Sequence, residues 1–105
     1  MIVVTSNSIE GRQITKTIGL VRGNTIRARH IGKDIMAALR GIVGGEVSEY
    51  TKLLAESREQ ALDRMVEHAR SVGANAIISV RFETSMIAQG SAELLAYGTA
   101  VILSE

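Results

Sequence analysis

The chain has no cysteine and no tryptophan, and its only aromatic residues are two tyrosines and one phenylalanine. The absence of cysteine excludes disulfides, thiolate nucleophiles, iron–sulfur clusters and thiolate zinc sites. With so few rings, the core must be built from Ile, Val, Leu, Ala and Met, which bury less area per residue. A small core with few large side chains is often completed by a partner subunit.

An excess of charge of one sign is also missing, because 12 basic and 11 acidic residues leave a net charge of +1. No global field attracts nucleic acid or an anionic membrane, and too few rings are present to stack bases. No apolar run approaches the roughly 18 residues of a membrane span, and the start MIVVTSNSIEGR lacks the basic region of a signal peptide. We therefore expect one domain, residues 1–105, in a cytoplasmic protein that binds neither nucleic acid nor membrane.

The first part of the chain has the composition of β-strands. Ile2 to Thr5 is predicted to form a short strand, and a longer β-branched strand begins at Gln13. Gly23-Asn24 allows either a bulge, beyond which the strand continues, or a tight turn.

Two helices are predicted next. The first is short and has one apolar face, formed by Ile31, Ile35, Leu39 and Ile42. The second runs from Glu46 to Val72 and is about 40 Å long if unbroken. Ser57-x-x-Gln60 has the form of a capping box, so a break at Ser57 is the alternative.

Two more strands complete the pattern. In VGANAIISVRFETS, residues 72–85, Ile78, Val80 and Phe82 are predicted to face the core, and the other face is polar. After a turn at Gln89-Gly90-Ser91, a final strand from Ala92 to Leu103 is apolar on both faces, so both are expected to be covered. The order β-β-α-α-β-β predicts an α+β domain with a mostly antiparallel sheet packed against one short and one long helix.

Several motifs in the right order resemble one family. They are Gly44-Gly45-Glu46, Tyr50-Thr51, Arg58, Met65, Gly73-Ala74-Asn75-Ala76 and Tyr97-Gly98-Thr99-Ala100-Val101, and together they extend over nearly the whole chain. On these residues the chain resembles the YbjQ-like family of small bacterial and archaeal proteins. It departs from that family's usual Pro-Gly turn after the first strand, where it has SIEGR at 8–12.

The resemblance implies a dodecin-like α+β subunit that assembles as a ring, namely a homopentamer. It also implies a heavy-metal-binding label, in a family whose members are otherwise uncharacterised. A divalent or heavy-metal ion is therefore a candidate cofactor, and further copies of the chain are the expected partners.

Without cysteine, a metal site would need histidine and carboxylate ligands. The candidates are His30, Asp34 and His68. His30 and Asp34 are four residues apart, the spacing that places two ligands on one helix face. Glu67 and His68 are adjacent on a helix and point about 100° apart, which is a poor chelating arrangement. Both histidines are more simply interpreted as surface residues.

No complete catalytic constellation is visible in the sequence. The glycines between 41 and 45 match neither phosphate-binding signature, and Glu46 and Glu49 would repel an anion there. Neither histidine lies in a recognisable nucleophile motif. We therefore expect a protein that is not an enzyme.

One polar set falls within the motifs that carry the resemblance. Its members are Arg40, Glu46, Tyr50, Arg58, Arg81 and Glu83. Arginine's planar fork suits either a carboxylate of a neighbouring subunit or a bound anionic small molecule. An ion-pair network that fixes the ring is the simpler interpretation, and a ligand site is the alternative.

Three hypotheses follow from these patterns. The first is a non-enzymatic, cytoplasmic homo-oligomer that binds a small ligand or a metal at its subunit interfaces, with a purely structural ring as a close variant. The second is a metal-binding protein, and the third is a small-molecule enzyme with an intersubunit site.

Overall fold

A computed structural model describes residues 1–27, 48–88 and 91–105 of the chain. The elements within these ranges are β1 (Ile2–Val3), β2 (Ile14–Arg27), α1 (Ser48–Ser71), β3 (Ala76–Ala88) and β4 (Ser91–Leu103). The predicted α+β architecture is confirmed, with one long helix beside a mostly antiparallel sheet. The predicted short helix around Ile31 to Ile42, and Gln89-Gly90 of the predicted last turn, lie outside the described residues.

The four strands form one sheet in the order β1-β3-β4-β2. β1 is parallel to β3, whereas β4 is antiparallel to both β3 and β2. β4 therefore lies inside the sheet. The helix covers one of its faces, whereas the N-terminal segment covers the other face at Val101 and Leu103, so the predicted cover on both faces is present only in part within the described residues. β2 continues through Gly23-Asn24, so a tight turn at that position is wrong; its irregular pairing lies nearer its start.

Helix α1 is continuous through Ser57, so the predicted alternative of a break there is wrong. Ala61, Met65 and Ala69 are fully buried and follow one another at intervals of four residues. This spacing places them on one helical face, which packs on the sheet. The contact is close because Gly23 of β2 has no side chain to separate the helix from the strand.

The helix lies mainly over β2 and also covers that strand's outer edge. The backbone N–H of Arg22 donates a hydrogen bond to Nδ1 of His68 at 3.2 Å. One helical turn earlier, Nη1 of Arg64 donates to the carbonyl oxygen of Asn24 at 2.5 Å. Since these backbone groups belong to an edge strand, the helix satisfies polar groups that would otherwise be open to another chain.

A bulge in β3 decides which side chains face the helix. The pairing with β4 shifts between Ile78 and Arg81, and Ser79 has a positive φ of 55°. Because the bulge adds a residue, the alternation of side chains reverses across it. Val80 packs in the cluster beneath the helix, whereas Ile78 belongs to a second cluster covered by the N-terminal segment.

The predicted common core face of Ile78, Val80 and Phe82 is therefore wrong. Ile78 lies on the opposite face of the sheet from Val80, because the bulge separates them. Phe82 follows Val80 on the helix side but remains 42% exposed. Its strand lies two places away from β2, over which the helix is centred.

Candidate functional site

The sheet face opposite α1 carries a group of polar side chains, which we call the open-face cluster. Its members are Arg22, Asn24, Arg81, Glu83, Glu93 and Tyr97. Tyr97 of the central strand pairs with Arg22 on one side and with Arg81 on the other. Directly paired residues on neighbouring strands share a face, so the register places a tyrosine between two arginines.

Two hydrogen bonds connect the cluster diagonally across strands. The phenol of Tyr97 donates to Oε1 of Glu83 at 3.1 Å, and Nδ2 of Asn24 donates to Oε2 of Glu93 at 3.0 Å. The hydrogen bond to Glu83, followed by desolvation and the charge of Glu83, raises the pKa of Tyr97, although the positive charge of Arg81 opposes the shift. Tyr97 is therefore a neutral hydrogen-bond donor at physiological pH.

The two arginines differ in what they contact. Nη1 of Arg81 donates to the carbonyl oxygens of Thr5 at 3.0 Å and Val80 at 2.8 Å, which ties the N-terminal segment to β3. Arg81 therefore forms no ion pair with Glu83, although the two share a face. Within the described part of the chain, the guanidinium of Arg22 has no hydrogen-bond or ion-pair partner.

Large apolar side chains lie beside the cluster. Leu20 is 64% exposed and Ile26 is 57% exposed, on the same face of β2 as Arg22. At the other end of this face, Val101 and Leu103 are buried under the N-terminal segment. The N-terminal cover thus protects one end of the face and leaves the apolar residues around the cluster exposed.

Comparison with known proteins places the chain in a family. The model of the YbjQ-like family, described as "Putative heavy-metal-binding", matches residues 1–104. The chain belongs to the YbjQ-like family. A UPF0145 protein of Methanosarcina acetivorans is 58% identical over 101 residues, which cover 96% of this chain and 95% of that protein. A UPF0145 protein of Clostridioides difficile is 51% identical over 105 residues, which cover 100% of this chain and 94% of that protein.

A solved structure supports the fold. The crystal structure of a protein of unknown function from Pediococcus pentosaceus, assigned to the DUF74 family, matches with a TM-score of 0.60. The match covers 99% of this YbjQ-like chain and 98% of the other, at 13% sequence identity. At that identity the likeness concerns the fold alone.

The structure brings together only part of the predicted polar set of this YbjQ-like protein. Arg81 and Glu83 lie in the open-face cluster. Arg58 is exposed on α1, which packs on the other side of the sheet. Arg40 and Glu46 lie outside the described residues, as does the side chain of Tyr50.

Only one of the three predicted metal ligands of the YbjQ-like chain lies within the described residues. His30 and Asp34 lie outside the described residues. His68 is exposed, and its Nδ1 already accepts the backbone N–H of Arg22. Across residues 1–27, 48–88 and 91–105, no three His, Asp or Glu side chains are grouped so that they could hold a metal ion.

Sequence reasoning did not single out Tyr97 and Arg22 as members of the site. Tyr97 shares a face with Thr99 and Leu95, which the alternation of β4 predicts. Its position beside Glu83 depends on the register of two strands and on the bulge at Ser79, and neither is encoded by periodicity. Among the described helices, none is long and apolar enough to cross a membrane.

Proposed function

We propose that this YbjQ-like protein is a cytoplasmic, non-enzymatic homo-oligomer that holds a small anionic molecule between its subunits. The assembly is a pentameric ring of dodecin-like subunits, and the open-face cluster lies at the subunit contact. The observation that carries the proposal is the row Arg22–Tyr97–Arg81 on a sheet face that α1 does not cover.

The chemistry of the row suits an anion. Arg22 presents an unengaged guanidinium, as far as the described residues extend, and a planar guanidinium binds carboxylate or phosphate groups through paired hydrogen bonds. The aromatic ring of Tyr97 offers a flat surface next to it. Glu83 accepts a hydrogen bond from the phenol of Tyr97, which fixes the position of the ring.

The exposed apolar side chains support a subunit contact at the same place. Leu20 and Ile26 flank the charged row, and an apolar surface with polar groups at its border is typical of interfaces. A second subunit placed over this face would remove the apolar side chains from water. It would also enclose the arginines, which strengthens their interaction with an anion.

The absence of catalysis is part of the proposal. A tyrosine whose pKa is raised is a poor general base at neutral pH, because it remains protonated. Glu83 is engaged by the phenol of Tyr97, and neither residue is paired with a histidine or a nucleophile in the described ranges. The proposed role of these groups is to orient a bound molecule.

The experiment is native mass spectrometry on protein purified without denaturation, together with sedimentation equilibrium. We expect a pentamer or a multiple of it, with mass in excess of the 11.3-kDa subunits. Arg22→Ala combined with Tyr97→Phe should release the extra mass and keep the assembly, whereas Arg58→Ala, on the other side of the sheet, should retain both. A monomer at equilibrium would disprove the proposal. An assembly without extra mass would disprove the bound molecule and leave a ring with a purely structural role.

The family description favours a second candidate, a heavy-metal site. The described residues place no three ligands together, so such a site would draw on ligands from more than one subunit or on His30 and Asp34. Nε2 of His68 remains available, since only Nδ1 is engaged in the contact with Arg22.

Metal analysis separates this candidate from the anion site. Native protein should contain stoichiometric metal if the family description applies, and His30→Ala with His68→Ala should lose it. Arg22→Ala with Tyr97→Phe should leave the metal unchanged. If stoichiometric metal persists after both histidines are replaced, these histidines are not the ligands.

A further inference from the structure

The two outer sides of the sheet differ in whether their backbone groups have partners. Within the described residues, the end of β3 beyond Val80 is the part whose outward backbone groups have none. The N-terminal segment pairs with β3 as far as Val80, whose N–H donates to the carbonyl oxygen of Val4 at 3.1 Å. Beyond it, the described ranges contain no segment that pairs with the outer edge. Residues 81–85 are all exposed, although successive side chains point to opposite faces.

Three of the usual protections of an edge strand, namely proline, lysine and a bulge within the segment, are missing from residues 81–85. The sequence RFETS at 81–85 contains no proline and no lysine, and its pairing with β4 is regular over these residues. Unprotected edge strands readily pair with another chain. The edge of β2, in contrast, is covered at Arg22 and Asn24 by side chains of α1.

We propose that two copies of this chain pair through the edge of β3, antiparallel and about a two-fold axis at Thr84. The second copy is the occupant because an antiparallel edge is complementary to itself, so that the outward N–H and C=O groups of one copy meet those of the other. On the other edge strand, His68 and Arg64 occupy the outward groups of Arg22 and Asn24, so β3 of a neighbour cannot pair with β2 at these residues. The inference rests on the proposed homo-oligomer and assigns one of its contacts.

The direction of the backbone groups sets the register. Val80 directs its N–H outwards, and in an antiparallel strand the orientation alternates, so Phe82 and Thr84 also direct their N–H and C=O outwards. With the axis at Thr84, this residue exchanges two hydrogen bonds with its own copy. Glu83 then lies opposite Ser85 of the second copy, whereas an axis at Glu83 would set two carboxylates against each other.

The edge also leaves an apolar side chain for a partner to cover. Phe82 is 42% exposed, and its neighbours in the segment 81–85 are exposed as well. Pairing at β3 would also bring the exposed Phe82 close to the second copy.

A two-fold contact restricts the number of copies. Rings are built from head-to-tail contacts, whereas the β3 contact uses the same surface on both copies and is isologous. Combined with a ring of five subunits, it joins two rings face to face. The expected assembly then contains ten copies, and any assembly that uses the contact throughout contains an even number.

Cysteine cross-linking tests the contact directly, since the chain contains no cysteine of its own. In Thr84→Cys the two Cα atoms would be about 5.5 Å apart across the axis, which suits a disulfide. Mild oxidation should convert most of the protein into covalent dimers. The matched control is Thr17→Cys, an exposed threonine on the other edge strand, which should remain uncross-linked.

A second variant removes the pairing without a cross-link. Thr84→Pro deletes an outward N–H and leaves the hydrogen bonds to β4 intact, so the folded subunit should persist while the mass of the assembly halves. If the protein is an oligomer but Thr84→Cys forms no more covalent dimer than Thr17→Cys, the β3 contact is wrong and the proposed function still stands. A monomer in sedimentation would overturn the proposed function itself.

Discussion

The carbonyl oxygen of Ala61 occupies the space where a side chain on Gly23 would begin. The backbone nitrogen of Met65 lies equally near, so the helix rests on β2 through main-chain atoms. Neither group can rotate away, unlike the end of a side chain. This contact sets the distance between α1 and the sheet.

Gly23→Ala should therefore force the helix away from β2. Overpacking of this kind destabilises by roughly 1–3 kcal/mol. The measurement is the midpoint of urea unfolding, with Gly98→Ala as the comparison. A methyl group at Gly98 meets Cγ2 of Ile77 at 2.8 Å and the carbonyl oxygen of Ile78 at 3.0 Å. Because these distances are longer than those to the main-chain atoms at Gly23, the effect of Gly98→Ala should be smaller. An equal or larger loss in Gly98→Ala would contradict this account of the packing.

Tyr97 should ionise above the ordinary tyrosine pKa of about 10. The shift raises the folded-state pKa, so its contribution to stability is complete below pH 10 and is lost as the pH rises through the folded-state value. The folded-state pKa of Tyr97 can be measured from the absorbance of tyrosinate during an alkaline titration. The titration uses a Tyr50→Phe background, in which Tyr97 is the one remaining tyrosine.

Replacement of Glu83 separates its hydrogen bond from its charge as causes of the raised pKa of Tyr97. Glu83→Gln keeps a hydrogen-bond acceptor and removes the charge, whereas Glu83→Ala removes both. The pKa of Tyr97 should therefore fall in Glu83→Gln and fall further in Glu83→Ala. A titration curve that is identical in all three proteins would show that the contact with Glu83 does not form.

His68→Ala should weaken the attachment of α1 to the edge of β2. The imidazole accepts the backbone N–H of Arg22, and loss of one such hydrogen bond costs about 1 kcal/mol. Glu67→Ala is the matched control, because its ion pair with Arg70 at 3.1 Å is exposed and surface pairs contribute little. Equal unfolding midpoints for the two variants would show that the hydrogen bond between Arg22 and His68 does not stabilise the fold.

Ser79 should tolerate glycine better than valine. Its φ of 55° lies in the left-handed region, which glycine adopts without a steric penalty and β-branched residues strongly disfavour. We expect Ser79→Gly to retain or slightly increase stability and Ser79→Val to lose about 1 kcal/mol or more. Thermal unfolding of both variants provides the measurement, and a more stable Ser79→Val would mean that the bulge is absent.

The parts of the fold that sequence predicted depend on local periodicity. The apolar stripe of α1 through Ala61, Met65 and Ala69 follows from spacing, and so does the alternation on β4. The faces of β3 could not be predicted in full, because the bulge at Ser79 reverses the alternation without a marker such as glycine or proline.

Two of the six members of the open-face cluster were predicted from the sequence. Arg81 and Glu83 were recognised because they share one face of a strand, which is a property of the strand alone. Their neighbours Tyr97 and Arg22 come from two other strands, and the pairing register that unites them is set by tertiary packing. The contact of His68 with the backbone N–H of Arg22 could not be predicted, because the two residues lie on a helix and a strand that are distant in sequence.

The sheet order has a consequence for how the chain folds during synthesis. β2 pairs with β4 rather than with a strand next to it in sequence. Arg27 therefore pairs with Ala92, and Ile14 pairs with Leu103. Such long-range pairing is slow because loop-closure entropy is lost before the contacts form. While β4 is still being made, both β2 and β3 lack their shared partner, so the two halves of the sheet are joined only after β4 has been synthesised.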